Sequence, residues 1–148
     1  MKTLQNFVVS AAVAAALLGC AAPKPQTQPG LKDALSGKFY IGTALSSAQI
    51  IGEDTLAIAI IKQHFNSVVA ENVMKSEVIQ PVEGEFDFSQ ADKFVDFATA
   101  NQMHVVGHTL IWHSQAPKWF FTDNDGRDVS PEVLTERMKT HIQTVVKR

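Results

Sequence analysis

Two groups of polar side chains, each directly after a short apolar run, are the residues of this sequence best suited to do chemistry. The first group follows residues 65–70, and the second follows residues 105–106. The six residues are Glu71, Asn72, Lys75, His108, Trp112 and Gln115. Carboxylate, amide, ammonium and imidazole groups hydrogen-bond hydroxyls, and an indole packs against the C–H face of a sugar ring. The two groups therefore indicate a site for a polyhydroxylated ligand.

Alternating strands and helices must hold these side chains in place. Apolar runs predict strands at residues 39–44, 65–70 and 105–110, and periodicity predicts helices at residues 53–64, from Ser89 and from Pro131. Strands that alternate with helices pair in parallel through right-handed crossovers. The carboxyl ends of parallel strands share one side of the sheet, where α/β proteins bind ligands. We therefore expect an α/β fold in which both polar groups form one site.

The helices carry more detailed expectations. In residues 53–64, one stripe is expected to contain Leu56, Ala59, Ile60 and Gln63. Ser89 is expected to cap the second helix with Asp92 in an imperfect capping box, and the expected apolar face of that helix is Ala91, Phe94, Val95 and Ala98. The third helix begins with a capping hydroxyl, a proline and a carboxylate, at Ser130, Pro131 and Glu132. Its apolar stripe is Leu134, Met138, Ile142 and Val145.

Aromatic and histidine residues outside the six are assigned structural roles. The phenylalanines are expected to form one core cluster, with members Phe86, Phe88, Phe94 and Phe97. Trp119 is expected in the core or at its rim. His104 and His108 would lie about 13 Å apart along a strand, too far to share a zinc ion, so we expect no metal site. Glu71 could act as a carboxylate toward a ligand or pair with Lys75, four residues on.

Composition limits the class of protein. The chain has 148 residues, a net charge of −2 and 45% hydrophobic residues, which suits one globular domain at most. Basic patches and charge runs are missing from the sequence, which argues against nucleic acid as a partner. The single cysteine, Cys20, excludes an intramolecular disulfide.

The first thirty residues are expected to direct export and not to join the fold. A basic start and an apolar stretch too short to span a membrane predict a signal peptide over residues 1–19. The sequence Leu17-Leu18-Gly19-Cys20 resembles a bacterial lipobox, which implies cleavage before Cys20 and its acylation. A lipid anchor on the cell envelope, at the outer membrane, would follow. The alternative is an ordinary signal peptide with an incidental cysteine and a secreted product. Residues 20–30 form a proline-spaced tether that could reach about 30 Å, which leaves residues 31–148 for the folded domain.

Three segments go beyond a general α/β pattern. Residues 65–75, 81–92 and 107–115 resemble, in order and spacing, motifs of glycoside hydrolase family 10, the endo-1,4-β-xylanases. The resemblance covers residues 31–148. It implies that this chain holds three or so β/α units of a (β/α)8 TIM barrel, which typically needs about 250 residues. One departure is Ser76, where the family commonly has tryptophan.

The resemblance also implies a function and a division of labour. It implies hydrolysis of β-1,4 bonds in xylan or xylo-oligosaccharides by the retaining mechanism, without a cofactor. Both catalytic glutamates are expected beyond Arg148, so the chain alone is expected to be inactive without the missing C-terminal barrel half. Glu71, Asn72 and Lys75 are implied to hydrogen-bond the sugars on the non-reducing side of the cut. The wall around the reacting sugar is implied to be lined by His108, Trp112 and Gln115. The alternatives are a non-catalytic glycan-binding lipoprotein that kept half a cleft, and a retaining barrel glycosidase with another linkage preference.

Overall fold

The computed structural model describes residues 28–148, so the predicted signal peptide, Cys20 and most of the tether lie outside the described residues. Three short parallel strands alternate with helices. The elements in chain order are α1 Leu31–Ala34, β1 Gly42–Leu45, α2 Ser47–Ile50, α3 Thr55–His64, β2 Ser67–Ala70, α4 Ser76–Ile79, α5 Ser89–Ala100, β3 His104–Val106, a 3-10 helix Lys118–Phe120 and α6 Pro131–Lys147. None of the helices between residues 28 and 148 combines the length and the apolar character needed to cross a membrane.

The sheet has the order β1-β2-β3, and both pairs are parallel. In register, Gly42 lies beside Ser67, and Ser67 lies beside His104. The first strand starts later than expected because the backbone of Ile41 is hydrogen-bonded to Asn66. The N–H of Ile41 donates to Asn66 Oδ1 at 2.7 Å, and the carbonyl of Ile41 accepts the N–H of Asn66 at 3.0 Å. The third strand ends at Val106, four residues earlier than predicted.

The main core lies between one face of the sheet and the helices α3 and α5. It is built around the central strand β2, and its members include Leu45, Val68, Phe94 and Met103. Phe94 and Leu45 are completely buried. Burial of a side chain of this size contributes about 1.5–3 kcal/mol, so this face contributes substantially to the stability of the described residues.

The opposite face of the sheet is exposed. Gly42, Ala44 and Val106 point to this side, and Val106 is 44% exposed. A shallow cavity of about 350 Å³ lies here and reaches His108. In a closed β/α barrel this face would be filled with layers of side chains.

Helix α3 buries a different face from the one expected. Leu56 is 80% exposed and Ile60 is 56% exposed, while Ile61 is buried and Ala57 packs against the core. Residues 56–61 are all apolar, so periodicity alone did not select a face. The position of the helix on the sheet determines which of its faces is buried.

Helix α5 begins at Ser89, but Ser89 is not its cap. The preceding carboxylate of Asp87 accepts the N–H of Ser89 at 2.8 Å, and hydrogen bonding from Ser89 lowers the pKa of Asp87. The expected capping box with Asp92 was therefore wrong, because a carboxylate two residues upstream took that role. Burial of Ala91, Phe94 and Ala98 is confirmed, whereas Val95 is 38% exposed and was wrongly placed in the apolar face.

The four phenylalanines form two groups, not one. Phe94 lies in the main core and Phe97 packs against it. Phe86 and Phe88 instead stack on each other with ring centroids 5.9 Å apart. Phe86 also lies 6.1 Å from the ring of His141 on α6, so this pair belongs to a second aromatic cluster.

Helix α6 begins as predicted. The hydroxyl of Ser130 accepts the N–H of Val133 at 3.4 Å, and Pro131 is the first helical residue. The side-chain hydrogen bond with Ser130 lowers the pKa of Glu132. The expected apolar stripe is half-buried, and the fully buried residue of the helix is His141.

Candidate functional site

The two predicted polar groups lie side by side because β2 and β3 are parallel neighbours. The loop after β2 starts with Glu71, whose N–H donates to the carbonyl of Leu45 at 2.9 Å and so extends the pairing with β1. The N–H of Lys75 then donates to the carbonyl of Asn72 at 2.9 Å and closes a tight turn. The loop after β3 crosses above this turn.

Lys75 lies at the centre of the site. Its side chain is largely buried, with 8% of the residue exposed. The ammonium donates to Asn72 Oδ1 at 3.0 Å and also contacts Gln115 Oε1. Throughout residues 28–148 the hydrogen-bond acceptors of this ammonium are amide oxygens, and no carboxylate forms an ion pair with it. The pairing of Lys75 with Glu71, left open by the sequence, is therefore not formed.

Gln115 connects the two loops. Its Nε2 donates to Asn72 Oδ1 at 3.0 Å, and its carbonyl accepts the N–H of Glu77 at 3.1 Å. The hydroxyl of Ser76, at 3.4 Å, also donates to that carbonyl. Gln115 has a φ of +53°, in the left-handed region that few non-glycine residues adopt. Side chain and backbone thus both contact the loop after β2.

Aromatic rings complete the site. The ammonium of Lys75 lies 5.1 Å from the ring centroid of Trp112, within cation–π range. His108 and His113 flank the indole, with centroids 6.1 Å and 5.3 Å away. The indole remains 36% exposed. The peptide bond between His108 and Thr109 is cis.

Five of the six predicted residues therefore form one contact network. We call Asn72, Lys75, Trp112 and Gln115 the strand-end cluster, and His108 borders it. Glu71 is at the end of β2, exposed, and makes no side-chain hydrogen bond to this cluster among the described residues. Its carboxylate is free to accept hydrogen bonds from a ligand at the same edge of the sheet.

A second network that the sequence analysis missed lies between residues 80–84, the 3-10 helix and α6. Arg137 pairs with Glu83 through two parallel hydrogen bonds of 2.8 Å. It also donates to the carbonyls of Trp119 and Thr122, and lies 5.7 Å from the indole of Trp119. Trp119 Nε1 donates to the carbonyl of Gln80 at 3.1 Å. The expectation that Trp119 lies at the rim of a core agrees with this position.

His141 belongs to the same network. It is fully buried, and its Nδ1 lies 2.9 Å from Gln80 Oε1, which is also buried. Burial lowers the pKa of His141, and a hydrogen bond with the backbone of Leu110 opposes that shift. We call Gln80, Glu83, Trp119, Arg137 and His141 the Arg137 cluster. A histidine next to the apolar stripe of α6 was the one sequence signal that could have pointed to it.

Histidines and carboxylates are not gathered for metal binding in the described part of the chain, where no group of three such residues is arranged to hold an ion. His104, to which the sequence analysis assigned a structural role, stacks on Tyr40 with ring centroids 4.8 Å apart.

Comparisons with known proteins agree with the motifs. The family model of glycosyl hydrolase family 10 matches residues 30–148. An endo-1,4-beta-xylanase A of Xylanibacter ruminicola is 53% identical over 123 residues, which are 83% of this chain and 33% of the relative. The endo-1,4-beta-xylanase C of Paenibacillus barcinonensis is 48% identical over 122 residues, which are 81% of this chain and 11% of the relative. The chain thus spans a third or less of these relatives.

Solved structures give the same result for the fold. A family 10 structure from Paenibacillus barcinonensis superposes with a TM-score of 0.74 and 45% identity, covering 81% of this chain and 34% of that chain. A mutant of the xylanase TsXylA from Thermoanaerobacterium saccharolyticum, in complex with xylotetraose, superposes with a TM-score of 0.74 and 43% identity, covering 80% of this chain and 37% of that chain. The three parallel strands and their helices are therefore part of a (β/α)8 barrel, as the resemblance implied.

Proposed function

The chain belongs to glycosyl hydrolase family 10, and from that membership we propose that it is the part of an endo-1,4-β-xylanase that binds the sugars on the non-reducing side of the cut. The observation that supports this role is the strand-end cluster. It joins two loops into one wall, with an ammonium and an indole in contact.

The donors and acceptors of this wall suit a polyhydroxylated ligand. The ammonium of Lys75 has three donors; Asn72 and Gln115 occupy two, which leaves one for a sugar hydroxyl. Asn72 Oδ1 accepts from both neighbours, so the amide nitrogen of Asn72 is available to donate. Glu71 adds an exposed acceptor at the same edge. A neutral sugar could thus exchange hydrogen bonds with fixed groups of both kinds.

The same groups can contribute to catalysis by binding. In a retaining glycosidase one carboxylate attacks the anomeric carbon while a second protonates the leaving oxygen, about 5–5.5 Å away, and water then hydrolyses the glycosyl intermediate. We assign neither role to Glu71, and we place both carboxylates outside residues 28–148. Lys75, His108, Trp112 and Gln115 would hold the ring during this change. Contacts that tighten as the ring flattens lower the barrier and do not merely increase affinity.

The test compares the full-length gene product with the chain of residues 1–148. We expect the full-length protein to release reducing sugars from xylan with retention of the anomeric configuration, as followed by NMR of the first product. The chain of residues 1–148 should release none above background. Turnover by that chain would overturn the placement of both carboxylates, and an inverted first product would overturn the retaining mechanism. Xylotriose binding without hydrolysis by the full-length protein would favour the non-catalytic alternative.

We also propose that Cys20 carries a lipid anchor on the bacterial cell envelope, following cleavage of residues 1–19. The support is the lipobox-like sequence Leu17-Leu18-Gly19-Cys20. Radiolabelled palmitate fed to expressing cells should label the protein, and the substitution Cys20→Ala should abolish the label and release the protein from membranes. An unlabelled protein recovered from the medium would favour the secreted alternative.

A further inference from the structure

Gln115 differs from its neighbours in the strand-end cluster because both its backbone and its side chain reach across to the other loop. The side-chain amide contacts Lys75 and Asn72, while the carbonyl accepts the N–H of Glu77. A residue in the usual extended or helical conformation would direct its carbonyl and side chain differently. Here the φ of +53° accompanies both sets of contacts.

We propose that Gln115 is a positioning residue whose left-handed backbone and amide together lock the loop after β3 onto the loop after β2 and hold the ammonium of Lys75 against the indole of Trp112. The inference deepens the proposed function, since it rests on that cluster being a sugar site. It assigns Gln115 a role that exists before any sugar arrives. Its backbone conformation becomes part of the site.

The contacts around Lys75 show why such a lock is needed. The ammonium is largely buried and relies on two amide oxygens, one of which belongs to Gln115. A lysine side chain has four rotatable bonds and loses much rotamer freedom when it is fixed. Without the amide of Gln115, one acceptor disappears and Asn72 loses a donor that orients its own amide. The cation and the indole would then be free to separate.

A pair of substitutions separates the backbone role from the side-chain role. Gln115→Gly removes the amide but tolerates the positive φ, whereas Gln115→Ala removes the same amide and also disfavours that conformation. If Gln115 acts only by touching sugar through its side chain, the two variants should behave alike. If the backbone positions the loop, glycine should be the milder change, although glycine usually destabilises a folded loop more than alanine does.

The chain supplies a matched control in Gln102. This glutamine also has a positive φ, +55°, and is exposed after α5, with its N–H donating to the carbonyl of Thr99 at 3.1 Å. The pair Gln102→Gly and Gln102→Ala measures how much less stable the protein is with alanine than with glycine at a left-handed position outside the cluster. Neither should alter the surroundings of Trp112 or the binding of sugar.

Two measurements on the full-length protein give independent results. The first is acrylamide quenching of Trp112 fluorescence, taken for each protein as the difference between its signal and that of the same protein carrying Trp112→Phe, so that every other tryptophan cancels. The second is the Kd for xylotriose from calorimetry. For Gln115→Gly we expect increased quenching and about tenfold weaker binding, because two side-chain hydrogen bonds are lost. For Gln115→Ala we expect stronger quenching still and binding weaker by about another fivefold.

The outcomes are distinguishable. Equal quenching and equal affinity for the glycine and alanine variants of Gln115 would overturn the backbone role. Weaker binding with unchanged quenching in both would also overturn the proposal, since Gln115 would then be only a direct sugar contact. If no variant and no parent protein binds xylotriose, but the quenching still rises from parent to glycine to alanine, the positioning role stands and the proposed function fails.

Discussion

The strand-end cluster and the Arg137 cluster are built from the same parts. Each joins loops that are distant along the chain, and each sets a cation beside an indole: Lys75 lies 5.1 Å from Trp112, and Arg137 lies 5.7 Å from Trp119. They differ in what their polar groups bind. Arg137 is paired with a carboxylate and two carbonyls, whereas Lys75 is held by amides alone.

That difference separates a structural network from a binding network. In the Arg137 cluster the indole N–H is bonded to Gln80, and the buried histidine is bonded to the side chain of the same residue. A fully satisfied network stabilises the fold and offers little to a ligand. In the strand-end cluster an ammonium donor, an amide and an exposed indole face remain available. Stability should therefore depend on the first cluster and affinity on the second.

The largest effect on stability is expected from Arg137→Ala. This change leaves the carbonyls of Trp119 and Thr122 without their donor and removes a partly buried ion pair. The free energy of unfolding of the full-length protein should fall by about 2–4 kcal/mol in urea melts. The matched control Arg127→Ala, whose ion pairs are exposed, should change it by less than about 1 kcal/mol. Weaker xylotriose binding by folded Arg137→Ala would show that the Arg137 cluster also affects affinity, which contradicts its assignment as a purely structural network.

Lys75→Met should produce the reverse pattern. Methionine keeps most of the apolar stem but provides no donor, so xylotriose should bind about tenfold to hundredfold more weakly. The free energy of unfolding should change by less than about 1.5 kcal/mol. Calorimetry and urea melts measure the two quantities. Lys139→Met, at an exposed position on α6, serves as the control. Parent-like affinity in the Lys75 variant would remove Lys75 from the binding site.

The two tryptophans give a smaller but more direct comparison. Trp119→Phe loses the hydrogen bond to Gln80 and should lower the free energy of unfolding by about 1 kcal/mol without altering affinity. Trp112→Phe should reduce xylotriose affinity by about threefold to tenfold, with little change in stability. Each variant is the control for the other. A loss of affinity in Trp119→Phe alone would reverse the assignment of the two clusters.

The smallest effect concerns pH and His141. Burial lowers the pKa of His141 below its ordinary value of 6.5, so the folded protein keeps the imidazole neutral where the unfolded chain protonates it. Unfolding then takes up a proton, and this part of the stability is present above pH 6.5 and is lost as the pH falls below it. Urea melts at several pH values should show this slope, and His141→Phe should weaken it. The control His113→Gln changes an exposed histidine and should keep the slope. If the dependence of the unfolding free energy on pH is the same in His141→Phe as in the parent protein, His141 is not its cause.

The local rules of the sequence succeeded where short segments decide the structure. The alternation of strands and helices, the parallel order and the start of α6 at Ser130 were all predicted. The elements and the helix start depend on patterns within a few residues, namely an apolar run, a helical repeat or a cap, and the parallel order follows from the alternation of those elements. The meeting of the two polar groups also followed, because parallel strands present their carboxyl ends at one edge of the sheet.

Contacts between distant segments were decided only by the tertiary structure. The face that α3 buries, the separation of Phe86 from Phe94, and the pairing of Gln80 with His141, 61 residues apart, all depend on where the helices settle on the sheet. The left-handed Gln115 belongs to the same class. Sequence periodicity indicates which residues share one face of a helix or strand, but it does not indicate which other element will pack against that face. Packing and hydrogen bonding across the chain supply that choice.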